Sequence, residues 1–295
     1  MKHLAHVSSL GEFGLIDVIK KYCPTNSKVI QSIGDDTAVL AFDKATYQLF
    51  TTDMMVEDVH FTRLMPAKLV GHKALACNIS DIAAMGGLPT FAVVSLGLPS
   101  KTPIRWVKDF YTGLGKVANS FNVAIVGGDT VKADKIVVNI ALLGLVEKKN
   151  LVTRSNAKPG DYVMVTGLLG GSLKSGRHLS FTPKVNQAQF LVKNFKPSAM
   201  MDISDGLAGD LNHLLRLSKV GAVLYNEHIP CHKNCSLKQA LTDGEDYELL
   251  FTLTPYNAKR LLDWQINNKC HYFYHVGEIV ANKKSIIKLE GFKHF

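Results

Sequence analysis

Long hydrophobic runs are missing from this chain of 295 residues. The most apolar stretches, around 91–98 and 136–146, have the length of a strand and are interrupted by glycine or polar residues. A membrane-spanning helix needs roughly 18 consecutive apolar residues, so we expect no membrane span. Residues 1–14 also lack the apolar segment of a secretory signal peptide.

Cysteine is scarce, with five residues scattered along the chain. The count is odd and the spacing is irregular, which excludes a disulfide framework. We therefore expect a reducing, cytoplasmic location. A group with the composition of a zinc site lies between His228 and Cys235, but its spacing fits no strong zinc pattern and Pro230 interrupts it. The sequence assigns this group no role.

Two common phosphate-binding signatures are absent. The chain has no Gly-x4-Gly-Lys-Ser/Thr loop, and it has no His-Arg-Asp or Asp-Phe-Gly motif of the protein-kinase type. These absences disfavour a P-loop fold and a protein-kinase fold.

The charge is distributed in an uncommon way. The chain carries a formal net charge of +9, yet its 25 acidic residues divide into 17 Asp and 8 Glu. The basic residues are dispersed, without the interleaved aromatic residues of a nucleic-acid groove, so we expect no nucleic-acid partner. Glu suits helices better than Asp does, so an excess of Asp indicates local use of the short carboxylate.

Strand-like and helix-like segments alternate along the whole chain, which predicts a mixed α/β fold. Helical spacing is clearest over Ala67–Met85, which is followed by two glycines and a proline. A polar, turn-like segment at 147–150 follows a long strand. We place a domain boundary there, giving domains at 1–148 and 149–295.

The aspartates that stand out lie at the ends of strands or beside glycine, each near a hydroxyl group or an accessible backbone. Five segments share this pattern: 33–38, 51–53, 78–81, 127–130 and 202–206. One Asp-Gly pair is usually a turn, but five such segments are hard to explain as turns alone. Hard divalent ions such as Mg²⁺ prefer oxygen ligands of this kind. The pattern predicts a magnesium site suited to phosphoryl transfer.

Asp81 separates the structural interpretation from the functional one. It shares a helix face with Asn78 and Met85, and its immediate neighbours are apolar. A carboxylate on a mostly buried helix is costly unless it is paired or binds a metal. A buried structural pair remains an alternative, and a metal ligand is favoured.

Four further residues are weaker candidates when taken singly. His60 follows a strand and is placed to reach a substrate phosphate, although a lone His is more often structural. Arg154 and Lys158 begin the second half and are placed to meet polyphosphate, with an ordinary surface role as the alternative. Glu245 precedes an apolar strand and either binds a cationic ligand group or belongs to a turn.

Taken in order, these segments resemble the thiamine-monophosphate kinase family of the AIR synthetase-type ATP-binding superfamily. The resemblance extends from Gly11–Ile16 to Gly291–Phe295. Its specific motifs lie at 34–36, 52–61, 73–86, 127–130, 202–207 and 244–249.

The resemblance implies an AIR synthetase-like two-domain fold. The sheet of the N-terminal domain is expected to pair with its twin as a barrel in a homodimer, and a mixed-sheet C-terminal domain covers the cleft for ATP and metals. The implied metal ligands are Asp36, Thr51, Thr52, Asp53, Asp81, Asp129, Asp202 and Asp205, of which Asp53, Asp129 and Asp205 are the implied catalytic residues. The implied nucleotide contacts are Phe110, Gly128, Asp129, Arg154 and Ser204. The implied substrate contacts are His60, Glu245 and Phe292.

The expected reaction follows from the same resemblance. A phosphate oxygen of thiamine monophosphate attacks the γ-phosphorus of ATP in line, assisted by several Mg²⁺ ions, and gives thiamine diphosphate and ADP. The acceptor phosphate is largely ionised at pH 7, so no general base is needed. Two alternatives stay open. One is a sibling synthetase such as AIR synthetase, and the other is a catalytically silent module that binds nucleotide or thiamine phosphate.

Overall fold

A computed structural model describes residues 6–282 as a mixed α/β structure built on two sheets. The strands are Val29–Gln31 (β1), Ala38–Ala41 (β2), Thr46–Val56 (β3), Leu88–Leu98 (β4), Ala124–Lys132 (β5), Val137–Glu147 (β6), Tyr162–Thr166 (β7), Ala199–Asp202 (β8), Gly221–Leu224 (β9), Leu249–Leu253 (β10) and Phe273–Val280 (β11). The helices are Gly11–Lys20 (α1), Ala67–Ala84 (α2), Ile104–Ser120 (α3), Ser172–Ser175 (α4), Val185–Asn194 (α5), Leu207–Ser218 (α6), Leu237–Thr242 (α7) and Pro255–Asn267 (α8). The predicted α/β class is confirmed.

The first sheet has six strands in the order β1-β2-β3-β6-β4-β5. Its neighbours are antiparallel except β4 and β5, which run parallel. Burial alternates along the central strands. In β3 the side chains of Leu49, Thr51 and Met55 are buried, whereas those of Phe50, Thr52 and Met54 are exposed. One face of the sheet is therefore covered, and the other is open in the isolated chain.

The second sheet has five antiparallel strands in the order β8-β10-β7-β11-β9. Strands β8 and β10 are buried at every position. One hydrophobic core lies within this half of the chain. A larger core combines residues of both halves, including Ile82 of α2 and Phe251 of β10, so the two sheets are packed through a shared apolar interior.

Helix α2 lies at the centre of this interior. It packs against β3, β4 and β6 of the first sheet and against α3, α5 and β8. The approach to α3 is close because a Cβ on Gly71 would lie 2.0 Å from the Phe110 carbonyl oxygen, and one on Gly113 would lie 1.8 Å from that of Lys68. Glycine is therefore required at both positions. From Lys73 to Ala84 every residue of α2 is buried except the half-buried Asp81, so a polar group there needs a partner within the protein.

The strand that contains Gly127 and Gly128 is longer than the sequence predicts. The sequence predicts a strand over Val123–Val126 that ends before them, but β5 extends to Lys132. The short strand β1 and the short helix α7 have no counterpart among the predicted elements. Within residues 6–282, no helix has both the length and the hydropathy needed to cross a membrane.

Candidate active site

Three aspartates from distant parts of the chain converge beside α2. Asp36 lies in the loop before β2, Asp81 lies in the last turn of α2, and Asp202 ends β8. One carboxylate oxygen of each lies within 4.8 Å of those of the other two. Asp36 and Asp202 are buried and Asp81 is half-buried. The fold therefore concentrates negative charge where the two halves meet.

Positive charge at this cluster is limited. The Arg154 guanidinium lies 2.6 Å from Oδ1 of Asp36, and the Arg154 backbone N–H donates to Asp35. Within the described part of the chain, Oδ2 of Asp36 is buried without a hydrogen-bond partner. A buried carboxylate oxygen with no partner is costly, and several carboxylates close together repel one another. The arrangement calls for a cation with oxygen ligands.

The electrostatic consequence appears in the carboxyl groups. Burial, together with the charge of Asp36, raises the pKa of Asp53 to about 6 and that of Asp202 to about 7. Burial and the neighbouring aspartates raise the pKa of Asp81 well above its usual range. Burial lowers the pKa of Arg154, but its carboxylate neighbours, Asp36 foremost, raise it more, so the guanidinium stays charged. Perturbation of this kind is typical of functional sites.

Neutral side chains hold the carboxylates in place. The Thr51 hydroxyl donates to Oδ2 of Asp81 at 2.7 Å, and the Ser80 hydroxyl donates to Oδ2 of Asp202 at 2.6 Å. Oδ1 of Asn78 accepts the backbone N–H of Asp53 at 3.2 Å. The sequence interpretation singled out the segment 78–81 but did not assign a role to Asn78 or Ser80. Both are polar residues within an apolar helix, and that position was the available signal.

Two predicted ligands lie elsewhere on the first sheet. The Thr52 hydroxyl donates to the carbonyl oxygen of Ile140, away from the cluster. Asp129 is exposed on β5, where it pairs with Ser95 of β4. Strands β6 and β4 separate β5 from β3, a distance of about 14 Å at ordinary strand spacing. The structure therefore does not bring Asp129 into the group formed by Asp36, Asp81 and Asp202.

The segment before α6 carries the next predicted residues. Ser204 and Asp205 are half-buried and lie just before Gly206, which has a φ of 98°. The backbone N–H of Asp205 donates to Oδ2 of Asp210, a fully buried side chain on the first turns of α6. Burial, followed by the charge of Asp205, raises the pKa of Asp210 well above its usual range. The sequence interpretation missed Asp210. An Asp in the first turn of a helix such as α6 is common and does not by itself indicate a site.

A buried lysine joins two of the predicted substrate contacts. Nζ of Lys73 lies 2.6 Å from both carboxylate oxygens of Glu245 and 3.3 Å from the carbonyl oxygen of His60. The Lys73 side chain is 1% exposed and that of Glu245 is 20% exposed. The structure thus brings His60 and Glu245 together, and the sequence interpretation missed Lys73, whose position on an apolar helix was the signal.

The loop that carries Glu245 has an unusual backbone. Glu245 and Tyr247 have φ values of 55° and 50°, a region that residues other than glycine seldom occupy. Their backbone N–H groups donate to the carbonyl oxygens of Ser204 and Ile203. Strain of this kind persists where surrounding contacts enforce it, and it is common at functional sites. The loop is therefore fixed against the segment that carries Asp202 and Asp205.

A cavity of about 320 Å³ opens beside this loop. Phe181 lines it and stacks on Tyr247 with ring centroids 4.0 Å apart. Its charged lining forms two ion pairs, Arg177 with Asp246 and Lys184 with Glu248. None of these lining residues was a sequence-predicted contact.

The remaining predicted residues lie apart from the cluster or outside the described chain. Phe110 is fully buried in the core and stacks on Trp106, so its ring presents no surface to a nucleotide. Gly128 is exposed on β5, and Phe292 lies outside the described residues. Within residues 6–282, the donors between His228 and Cys235 form no metal-sized group.

Family models match both halves of the chain. The model for the N-terminal domain of AIR synthase related protein matches residues 34–146, and the model for the C-terminal domain matches residues 164–290. Among curated proteins, thiamine-monophosphate kinase of Aquifex aeolicus (strain VF5) is 36% identical over 98% of this chain and 99% of its own length. The Buchnera aphidicola (subsp. Schizaphis graminum) protein of the same name is 33% identical over 96% and 99%.

Solved structures agree with these matches. The chain superposes on AaThiL complexed with AMPPCP and TMP with a TM-score of 0.87, 32% sequence identity and full coverage of both chains. It superposes on Escherichia coli HypE, a hydrogenase maturation protein, with a TM-score of 0.68 over 92% of this chain and 91% of that one. The identity to HypE is 18%, so that likeness concerns the fold alone.

Proposed function

The chain belongs to the thiamine-monophosphate kinase family of AIR synthase related proteins, and from that premise we propose that it transfers the γ-phosphoryl group of ATP to thiamine monophosphate. The products are thiamine diphosphate and ADP. The observation that carries the proposal is the convergence of Asp36, Asp81 and Asp202 in a chain so similar to a protein solved with AMPPCP and TMP. That convergence supplies the site that phosphoryl transfer needs.

The donor set fits Mg²⁺. The cluster offers carboxylate and hydroxyl oxygens, and the unpartnered Oδ2 of Asp36 is available to a cation. Asp36, Asp53, Asp81 and Asp202, with Thr51 beside them, would hold the ion. The resemblance adds Thr52, Asp129 and Asp205, although Thr52 and Asp129 lie away from this cluster. When bound, Mg²⁺ neutralises charge on the phosphates and raises the electrophilicity of the phosphorus.

The protein's own contribution is positioning and charge. The acceptor phosphate has a second pKa near 6 and is largely ionised at pH 7, so the site needs no general base. Helix α2 fixes Asp81 and, through Asn78, the backbone of Asp53. Holding two reactants at the correct separation removes much of the entropic cost of their encounter. Rigid, buried elements on both sides of the cleft serve this purpose.

The nucleotide contacts are proposed by resemblance. Arg154 is already oriented by Asp36 and lies beside the carboxylate cluster, which suits a contact to a polyphosphate. Ser204 lies two residues after Asp202 of the cluster, and Gly128 is included by resemblance alone. We assign Phe110 no direct contact, because its ring is enclosed by the core.

The acceptor is proposed to lie along the loop from 244 to 248. His60 and Glu245 meet there, and the cavity beside the loop has the size of a small-ligand site. Phe181 provides an aromatic wall, and Asp246 and Glu248 provide carboxylates that are paired with Arg177 and Lys184. The cationic thiazolium ring of thiamine suits the aromatic wall, with the phosphate directed toward the aspartates.

A homodimer is part of the proposal. The open face of the first sheet exposes Phe50, Met54, Phe91 and Val93, each at least 38% accessible. Exposed apolar side chains grouped on one sheet face are typical of an interaction surface. A second copy of this chain, pairing its own first sheet, would cover them. Replacing both Phe50 and Phe91 by Glu is expected to yield a monomer in analytical ultracentrifugation.

We also propose the division into domains at 1–148 and 149–295. The family models cover 34–146 and 164–290, and the two sheets fall on either side of the division. A cytoplasmic location is proposed with them, because ATP, Mg²⁺ and reduced cysteines occur together there.

ADP release tests the proposed function. The assay is run with ATP and Mg²⁺, with thiamine monophosphate present and then absent, and the thiamine product is identified by mass. We expect ADP and thiamine diphosphate in equal amounts, and neither after chelation of the metal. ADP release without thiamine monophosphate would point to a different acceptor. Tight binding of both ligands without ADP release would point to a binding module.

A further inference from the structure

A polar stripe runs along α2 and faces the second half of the chain. Lys73, Cys77 and Ser80 are spaced four and three residues apart, so they lie on one face of the helix. Each donates a hydrogen bond across the boundary between the halves, to Glu245, to the Tyr247 hydroxyl and to Asp202 respectively. The stripe thus extends from the acceptor loop to the aspartate cluster.

Lys73 is the charged member of this stripe. Its ammonium is buried, and a buried ammonium is tolerated only with a well-placed counter-charge. Both oxygens of Glu245 approach it at 2.6 Å, and the third contact is the carbonyl oxygen of His60. The Glu245 carboxylate, which is one-fifth exposed, is thus held by a side chain that is itself buried.

The wall of the cavity includes the residue that follows Glu245. Asp246 and Glu248 follow Glu245 in a loop whose backbone is held in an uncommon conformation at Glu245 and Tyr247. Without the ion pair, the Glu245 side chain loses the contact that ties it to α2. Among the described residues, the loop would then be held by its backbone bonds to Ile203 and Ser204, the Cys77–Tyr247 hydrogen bond, the Phe181–Tyr247 stack and the bonds of Asp246 to Gly170 and Arg177. None of these contacts involves the Glu245 side chain.

We propose that Lys73 is a positioning residue for the acceptor, which presents Glu245 and the His60 segment to thiamine monophosphate in a fixed arrangement relative to the aspartate cluster. This inference rests on the proposed function. It assigns Lys73 no contact with ATP and no part in binding the metal. Loss of Lys73 is therefore expected to weaken binding of thiamine monophosphate and to leave binding of ATP unchanged.

A double-mutant cycle on the full-length enzyme tests the proposal. Lys73→Met, Glu245→Gln and the double variant are compared for kcat and for the KM of each substrate. We expect Lys73→Met to raise the KM for thiamine monophosphate about tenfold or more and to change the KM for ATP less than about twofold. Because Lys73 acts through Glu245, the double variant is expected to match Glu245→Gln alone.

Two further variants control for structure. Lys73→Arg retains a charge that forms paired hydrogen bonds with a carboxylate, so it is expected to return the KM for thiamine monophosphate to within about threefold of the parent. Cys77→Ala removes the neighbouring contact to the same loop without removing charge, and is expected to change that KM less than about twofold. If Lys73→Met does not fold, Lys73→Gln removes the charge, retains a hydrogen-bond donor and serves the same comparison.

Two results would overturn the proposal. One is an equal rise in the KM values for both substrates in Lys73→Met, and the other is additivity of the two single effects in the double variant. Failure of the proposed function is distinguishable from either, because the unmodified enzyme would then release no ADP in response to thiamine monophosphate.

Discussion

Two regions only two turns apart on α2 treat charge in opposite ways. At Lys73 one buried cation meets one carboxylate, and the charges cancel. Around Asp81 the carboxylates of Asp36, Asp53 and Asp202 outnumber the single guanidinium of Arg154. Both regions lie at the boundary between the two halves of the chain, and both connect residues distant in sequence.

The difference shows what each region is for. A balanced pair requires nothing further and holds its loop in one geometry. An unbalanced cluster is stabilised by the positive charge that it takes up, either protons or an added cation, so its stability depends on ligand binding. Buried polar groups on one helix therefore serve two purposes, and the local sum of charges distinguishes them.

The largest expected effect tests the unbalanced cluster. Asp53→Asn removes a charge where metal and phosphates are proposed to meet, and is expected to lower kcat by about a thousandfold or more without unfolding the protein. Steady-state ADP release and circular dichroism measure the two quantities. Asp129→Asn, implied by resemblance to be equivalent, is the companion variant. Near-normal turnover in Asp53→Asn would refute the metal-cluster account, whereas near-normal turnover in Asp129→Asn would remove only Asp129 from it.

The two regions are expected to respond with opposite sign when a carboxylate is neutralised. Glu245→Gln leaves the buried Lys73 ammonium without its counter-charge and is expected to lower the free energy of unfolding by on the order of 3 kcal/mol. Asp81→Asn relieves repulsion and is expected to raise that free energy, in chelator-treated protein, by about 1–2 kcal/mol. Urea denaturation of both variants measures the difference. Destabilisation by both would show that the cluster is balanced after all.

The pH dependence of stability follows from the raised pKa values. The pKa values of Asp53 and Asp202 are about 6 and about 7 in the folded protein, against about 4 in an unfolded chain. Between about pH 4 and pH 7 the folded state binds more protons than the unfolded state, so stability falls as pH rises. Chelator-treated protein is expected to lose at least about 1 kcal/mol between pH 5 and pH 7.5.

Asp202→Asn provides the control for this pH dependence. The variant lacks one of the carboxyl groups with a raised pKa, so its free energy of unfolding is expected to fall less steeply over the same interval. A slope identical to that of the parent protein would mean that Asp202 titrates as it does in the unfolded chain.

The smallest expected effect separates adjacent threonines of β3. The Thr51 hydroxyl donates a hydrogen bond to the Asp81 carboxylate, whereas the Thr52 hydroxyl donates to the carbonyl oxygen of Ile140 on the neighbouring strand. Thr51→Val is expected to reduce kcat about tenfold, and Thr52→Val is expected to reduce it less. Steady-state rates at saturating substrates measure both. Equal losses would indicate that the Thr52 hydroxyl also contributes to the site.

Much of this fold could be predicted from local pattern. The sequence predicts a helix over Ala67–Met85 and a strand over Tyr162–Thr166. The structure has them at Ala67–Ala84 and Tyr162–Thr166. The strand through Gly127-Gly128 was shortened in the prediction because glycine disfavours strands. Pairing with β4 overrides that local preference.

The site was predictable in kind more than in arrangement. Asp residues beside strand ends indicated a metal cluster, and the resemblance supplied most of its members. Which of them meet depends on long-range packing, as the separate places of Asp81 and Asp129 show. Lys73 and Asp210 are buried polar residues in apolar helices, and their roles become apparent only when their partners are known.

Calorimetric titration of Mg²⁺ into chelator-treated protein in the presence of AMPPCP tests the central claim most directly. The account predicts a binding signal in the unmodified protein that disappears in Asp81→Asn and persists in Glu245→Gln. The first variant alters the unbalanced cluster and the second alters the balanced pair. An unchanged signal in Asp81→Asn, or equal loss in both variants, would contradict the assignment of the aspartate cluster as the metal site.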